Sequence, residues 1–331
     1  MLPAIPEHIS IYATSTGLDY AQVDTVVTLP TFRRPDHVLK TLNSLATQIT
    51  KRNFAVILVE NEAEAQEGAI AAAPLFLNNE CKGMIIVESA RGNCNAYNAA
   101  WLMALHHFPN LQQLLVIDDD EVASPDWLET MCQAKERYQA DFVGGPQVPV
   151  FEQESLNHWA KHPVFSPPYT VSGKVPVLYS SGNLLVSRAV LDKMPFPFLD
   201  LVFNFTGGGD SDFISRSLVA GFTTAWSAEA QVFETIPSRR LEGDWIRDRG
   251  LRNGMLSTRI EKRKRAQEPL GHTKTFFKSL AILGVSPFKA LIKGMKSRSV
   301  KIGLYYIHVG IGRVAAHFGY NHEQYRNPEK N

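Results

Sequence analysis

Reduced to apolar and polar positions, the first part of the chain alternates between two patterns. Short β-branched or aliphatic runs recur at residues 25–29 (TVVTL), 54–59 (FAVILV), 84–87 and 114–117 (LLVI), the length and make-up of buried strands. Between them apolar residues return at helical spacing. Val38, Leu39, Leu42 and Leu45 follow Pro35, which suits a first helical position, and residues 93–107 carry a second helical pattern. This alternation predicts an α/β fold: a Rossmann-like, mostly parallel sheet flanked by helices. Residues 1–24 are weakly patterned and read as a lead-in. The stretch 142–235 is more irregular, with strand-like 183–187 and 230–234, a glycine run at 207–209 and a helix over 210–220; residues 240–265 read as a charged helix.

The character changes near residue 270. Phe276, Phe277, Leu280 and Gly284 form one apolar stripe, and Phe288, Leu291, Ile292 and Met295 a second. Ile302, Tyr305, Tyr306 and Val309 repeat it, with Lys274, Lys278, Lys289, Lys293 and Lys296 interspersed. The pattern predicts a basic amphipathic helical tail, suited to a membrane interface with its lysines towards anionic lipid. A helical cap packed on the main domain is the alternative. The expected organisation is therefore a lead-in (1–24), a main domain (25–265) and a basic helical tail (266–331).

Charge sharpens this division. Residues 259–331 hold 15 Lys and Arg against 4 Asp and Glu, a balance of +11; with a net charge of +1 for the chain, residues 1–258 carry −10. An acidic body with a basic tail implies an anionic partner for the tail. No recognition motif accompanies the charge, which sets nucleic acid aside in favour of lipid headgroups. The three cysteines, Cys81, Cys94 and Cys132, have neither disulfide-framework nor zinc spacing, which points to a reducing compartment. The start of the chain lacks the pattern of a secretory signal, and no uninterrupted apolar run of about 18 residues argues for a conventional membrane span. The expected location is cytoplasmic, peripheral on the inner face of the cell membrane.

The strongest chemical signal is Asp118-Asp119-Asp120, set directly after an apolar strand. In open α/β sheets ligands bind beyond the carboxyl ends of the strands. That rule gathers Thr31, Glu60 and Asp118–Asp120 around one crevice. If the chain stays extended, Asp118 and Asp120 point the same way. Adjacent carboxylates repel unless a cation or donors neutralise them, and a hard divalent ion with a bound diphosphate suits that need. A solvated acidic turn is the plainer reading of such a triplet; its place at a strand end favours the functional one.

Several segments, in order, carry a family resemblance. VVTLPTFRRPDHVLKTLNS (26–44), ILVEN (57–61), IDDDE (117–121) and PDWL (125–128) resemble family 2 glycosyltransferases of GT-A fold. ADFVGGPQVPVF (140–151), SSGNLLVS (180–187), FTGGGDSDF (205–213) and the arginine-rich 239–254 are similar to the branch with bacterial succinoglycan-type exopolysaccharide glucosyltransferases. The resemblance covers about residues 25–255. It implies an inverting transfer of a sugar, UDP-glucose being the expected donor, to a lipid-linked oligosaccharide or polysaccharide acceptor. It further implies that Thr31 and Glu60 lie near the base and ribose. Asp118 and Asp120 would form the Asp-x-Asp element that holds Mn²⁺ or Mg²⁺, with Asp120 the direct ligand and Asp119 grouped with the donor-binding residues. Asp210 would be the catalytic base and Asp212 an acceptor contact, while Trp245 and Arg249 would close over the donor diphosphate or the acceptor. The residues alone leave Asp210 open between base and helix N-cap, and leave the arginines around Trp245 open between phosphate ligands and a solvated face.

The chain departs from the family pattern at three places. Glu60 stands where Asp is usual, Gly209 where Glu precedes the base, and Tyr97 where Arg is common in an Ala-Arg-Asn triplet. Two rival readings follow. One is a sugar-phosphate nucleotidyltransferase, for which Arg33-Arg34 is the only hint and the glycine-rich loop is missing. The other is a catalytically silent sugar- or lipid-binding partner, suggested by Gly209.

Overall fold

The computed structural model describes residues 2–179 and 181–326. Along the chain run β1 (Ile9–Thr14), β2 (Thr25–Thr31), α1 (Pro35–Ala46), β3 (Phe54–Glu60), α2 (Glu67–Leu77), β4 (Gly83–Glu88), α3 (Asn93–His107), β5 (Gln113–Ile117) and β6 (Glu121–Ala123). Then come α4 (Trp127–Tyr138), β7 (Phe142–Gly144), β8 (Gln147–Phe151), β9 (Gly173–Lys174), β10 (Asn183–Ser187), α5 (Arg188–Lys193), α6 (Gly209–Val219), β11 (Thr224–Trp226) and β12 (Val232–Ile236). Three long helices follow: α7 (Gly243–Lys264), α8 (Gly271–Ser297) and α9 (Val300–Ala315). The chain folds as two compact units, Met1–Val148 with Pro168–Glu234, and Pro149–Pro167 with Thr235–Asn331. The expected boundary after residue 265 falls inside the second unit, between α7 and α8.

The first unit is built on a nine-stranded mixed sheet, order β1-β4-β3-β2-β5-β10-β7-β11-β9. Its contiguous centre, β4-β3-β2-β5, is parallel, as strands separated by helical crossovers must be. Val26, Val27, Leu29, Val56, Leu58, Leu115 and Ile117 have no exposed surface, which is why these runs are apolar throughout rather than alternating. The weakly patterned lead-in supplies β1, an edge strand antiparallel to β4. Its periodicity is faint because Ile11 and Tyr12 remain exposed at that edge. On the other side β10 runs antiparallel to both β5 and β7, and β6 pairs with the start of β12 (Val232↔Ala123, Glu234↔Glu121).

The second unit has its own small apolar core of Phe151, Trp159, Phe165, Ile236, Leu241 and Ile246. Glu261 on α7 receives Lys278 from α8 at 2.8 Å and Arg313 from α9 at 2.6 Å, binding the three helices through one carboxylate. Close approach of α9 to both neighbours depends on glycine. A Cβ at Gly312 would lie 2.0 Å from the Leu251 carbonyl oxygen, and one at Gly303 would lie 2.6 Å from that of Ala290.

Candidate active site

Parallel pairing places Thr31, at the end of β2, opposite Glu60, at the end of β3. On the other side of β2, strand β5 stops at Ile117 and the chain turns back at once, the Glu121 amide donating to the Asp118 carbonyl at 3.2 Å. This turn corrects the extended-chain expectation. Asp119 and Asp120 share a partner, because Arg34 Nη1 donates to both at 3.0 Å. Asp119 also accepts from Thr31 Oγ1 at 2.9 Å. Thr41 on α1 clamps the turn from behind, donating to the carbonyls of Asp119 at 3.1 Å and Glu121 at 2.6 Å.

Asp118 has further partners in α3 and in the turn. Its Oδ1 accepts a 2.6 Å hydrogen bond from the Tyr97 hydroxyl, which in turn accepts from Ser181 Oγ at 3.2 Å. The Asp118 amide donates to Glu121 Oε2 at 2.9 Å, and Gln147 donates to the other Glu121 oxygen. Gly182 makes this crowding feasible. A Cβ there would come within 2.8 Å of Asp118 Oδ2, 2.7 Å of Glu121 Oε1 and 2.6 Å of Gln147 Nε2. Burial and the neighbouring Asp120 carboxylate push the Asp118 pKa up to about 7, against the lowering effect of the Tyr97 hydroxyl. Asp119 is raised by burial, with Arg34 opposing. Glu121 is raised well above the carboxylate range by burial, then by Asp118 and Glu234. For Arg34, burial works against the charge, but the two aspartates outweigh it and hold the guanidinium firmly protonated.

Asp210 and Asp212 both lie in the first turn of α6, whose N-cap is Gly208 at φ +88°. The cap position thus falls two residues before Asp210. Burial raises the pKa of Tyr97 and of Cys94, and nearby carboxylates, Asp118 for Tyr97 and Asp210 for Cys94, add to the rise. Asp212 faces inward. It is 1% exposed and accepts from Arg216 Nε at 2.8 Å, while Arg216 also donates to the Phe198 carbonyl. Gly209 is buried as well, and a Cβ there would meet Cys94 Sγ at 2.8 Å.

Glu60 is fully buried and engaged on both oxygens, accepting from the Glu62 amide at 2.9 Å and the Ala69 amide at 3.0 Å. Through Ala69 it satisfies an open donor in the first turn of α2. Burial raises its pKa, and those amide bonds oppose the rise. Trp245 and Arg249 belong to the second unit, on α7. The Trp245 ring stacks on Phe165 (6.3 Å between centroids, 7° between planes), and the Arg249 guanidinium lies over it at 5.7 Å. The fold thus gathers Thr31, Arg34, Tyr97, Asp118, Asp119, Asp120 and Glu121 into one connected polar cluster. Sequence reasoning passed over Tyr97 and Arg34. Tyr97 registered only as a departure from a pattern, and Arg34 only as half of a basic pair.

The glycosyl transferase family 2 model matches residues 26–196, just over half of the chain. The chain belongs to glycosyl transferase family 2. A succinoglycan biosynthesis protein, ExoM of Rhizobium meliloti (strain 1021), is 28% identical over 236 residues, spanning 70% of this chain and 72% of its own length. Among solved structures, the mannosyltransferase PcManGT from Pyrobaculum calidifontis, in complex with GDP-Man and Mn2+, superposes with a TM-score of 0.55. It has 13% identity, over 91% of this chain and 89% of that one, a likeness of fold. This family 2 glycosyltransferase has the GT-A architecture and is an enzyme.

A divalent cation suits the donor set of this transferase. Asp118, Asp119, Asp120 and Glu121 crowd together, and the described contacts bring one guanidinium, that of Arg34, to the turn. Burial raises Asp118, Asp119 and Glu121, and a cation at the turn would favour their charged forms. Among the described residues no three His, Cys, Asp or Glu side chains converge as a complete protein cage would require. Two carboxylates completed by diphosphate oxygens form the usual arrangement for Mg²⁺-type ions.

Proposed function

We propose that this family 2 glycosyltransferase is an inverting enzyme. It would move a sugar, with glucose from UDP-glucose as the working donor, to a hydroxyl of a lipid-linked oligosaccharide or polysaccharide at the cytoplasmic face of the cell membrane. The observation that carries this reading is the buried acidic turn after β5, where Arg34 bridges Asp119 and Asp120 and Tyr97 holds Asp118. One buried tyrosine bonds the donor-side carboxylate, and the residue assigned as base stands in the first turn of α6. The exopolysaccharide acceptor rests on the name of the R. meliloti relative.

In this mechanism Asp210, at the start of α6, takes the proton of the acceptor hydroxyl. The acceptor oxygen forms its bond to the anomeric carbon as the bond from that carbon to the diphosphate oxygen breaks on the opposite side. Configuration inverts, and nucleoside diphosphate leaves with the bonding electron pair. Asp118 and Asp120 would hold the Mn²⁺ or Mg²⁺, which when bound supplies Lewis-acid stabilisation of the departing diphosphate. Tyr97 orients Asp118, and Arg34 keeps Asp119 and Asp120 together. Thr31 and Glu60 shape the wall beside the nucleotide; Asp212, through Arg216, sets the first turn of α6. Trp245 and Arg249 are proposed to contact the donor.

The test is release of nucleoside diphosphate across a panel of nucleotide sugars, with membranes as acceptor source, with and without Mn²⁺ or Mg²⁺. Metal-dependent release from one donor, lost in Asp120→Ala and in Asp210→Asn, is the expected result. Release unaffected by chelation, or an Asp210→Asn enzyme that turns over normally, would overturn the assignment.

A further inference from the structure

Helix α8 is packed the opposite way from an ordinary surface helix. The side it presents to the rest of its unit is made of small residues: Thr275, Ser279, Ser286 and Ala290 are buried. On α9 the facing positions are glycines. A Cβ at Gly310 would lie 3.1 Å from Leu283 Cα and 3.2 Å from Ser286 Oγ, and Gly303 lies under Ala290 and Gly294. The large apolar side chains point outwards. Phe277, Val285, Phe288, Leu291 and Met295 are each 60–69% exposed, and Leu280 and Ile292 are also exposed. In water the apolar stripe of a helix belongs against its protein neighbours. Small residues at the helix–helix contact with large apolar residues outside is the arrangement of helices in lipid, where close backbone approach drives association.

Charge identifies what covers this face. Helix α8 contains no acidic residue and carries Lys274, Lys278, Lys289, Lys293 and Lys296, with Arg298 just beyond its end. The lysines lie between the small-residue side and the apolar side. Lys289 reaches across to the Tyr306 ring on α9 at 4.4 Å, and Lys278 to Glu261 on α7. An apolar face bordered along one side by cations matches the boundary between acyl chains and anionic headgroups. By length and composition α8 would also suffice to cross a membrane, with a mean hydropathy of 1.4 over its best 18-residue window. Its whole small-residue side is instead committed to protein, which favours lying in the membrane plane.

We propose that the outward face of α8, centred on Phe277, Phe288, Leu291 and Met295, is a docking surface for an anionic lipid bilayer. This assignment is independent of the transfer chemistry. The protein lies on the membrane with this face sunk to the acyl boundary and the flanking lysines among the headgroups.

The experiment is flotation of the protein with vesicles of phosphatidylcholine alone or mixed with phosphatidylglycerol. The expected result is flotation with the anionic vesicles, a several-fold loss in high salt, and release at alkaline carbonate pH. Phe288→Glu combined with Met295→Glu should abolish flotation while thermal unfolding stays as in the parent, since both side chains are exposed. Lys289→Glu with Lys293→Glu should weaken it. Protein that stays at the bottom with both vesicle types overturns the proposal, most directly if it is a dimer that the Phe288→Glu, Met295→Glu pair converts to monomer. Resistance to carbonate extraction would also overturn it, in favour of a span. Because flotation needs no turnover, an inactive Asp120→Ala enzyme that still floats separates failure of the catalytic reading from failure of this one.

Discussion

The Tyr97 hydroxyl donates to Asp118 Oδ1 at 2.6 Å, so a residue from the middle of a helix holds a carboxylate from the end of a strand. Removing that hydroxyl in Tyr97→Phe leaves Asp118 buried with one fewer donor, at a cost of about 1–3 kcal/mol in stability. Residues that orient ligands of this kind typically change metal affinity or activity about 10- to 100-fold. We expect the larger part in the Mn²⁺ concentration needed for half-maximal rate. Direct Mn²⁺ binding, measured without donor, separates this from a general loss of packing. Unchanged binding and rate would dismiss the role.

Arg34 is the guanidinium that spans Asp119 and Asp120. In Arg34→Ala two mostly buried carboxylates lose their counter-charge, which for a buried pair costs about 3–5 kcal/mol; partial exposure of Arg34 puts the expectation at the lower end. Urea unfolding measures it. Arg34→Lys restores charge without the planar fork and should recover only part of the loss. Equal stability in all three proteins would refute the bridging role.

Asp210 and Asp212 lie two residues apart in one helical turn and should fail differently. Asp210→Asn is expected to lower turnover by about 10²–10⁴-fold, as for loss of a general base, with the unfolding midpoint nearly unchanged. Asp212→Asn strips Arg216 of a buried partner and should destabilise by about 3 kcal/mol, with a smaller effect on the rate of whatever remains folded. Parallel thermal melts and donor-cleavage assays decide it; swapped phenotypes would exchange the two assignments.

His162 gives the second unit a pH dependence of its own. It is fully buried among Trp159, Phe165 and Tyr305, and burial lowers its pKa from 6.5 to about 4, the Lys301 backbone opposing. Between those values the unfolded chain takes up a proton that the folded chain refuses. Stability should therefore fall as pH drops from about 6.5 towards 4, by up to about 3 kcal/mol, and level off below. Urea melts across that range should show the slope in the parent and lose it in His162→Gln. A slope that survives the substitution would assign it to other groups.

Much of the site was legible in one dimension because strand ends are local features. An apolar run, a proline or an acidic cluster needs only neighbours in sequence to declare where a strand stops, and α1, α3, β5 and β10 sit where the pattern puts them. Asp119 and Asp120 were visible for that reason. Their pairing through Arg34 was not, because it spans 85 residues and depends on a turn that replaces the extended chain after Ile117. Glu60 was equally visible as a strand-end acid, yet its engagement with the first turn of α2 depends on where that helix packs.

What the sequence by itself determined is the α/β alternation, the family, and the place of the acidic cluster at the carboxyl end of a buried strand. Each rests on residue order and short-range periodicity. Only the tertiary structure decided which groups neutralise that cluster, that Asp212 faces Arg216, and which side of α8 looks outward. Periodicity shows that apolar residues share one side of a helix; it is silent on whether protein, water or lipid lies against that side. That choice is made by small residues on the other side, whose close contact with the glycines of α9 turns Phe277, Phe288 and Met295 away from the protein.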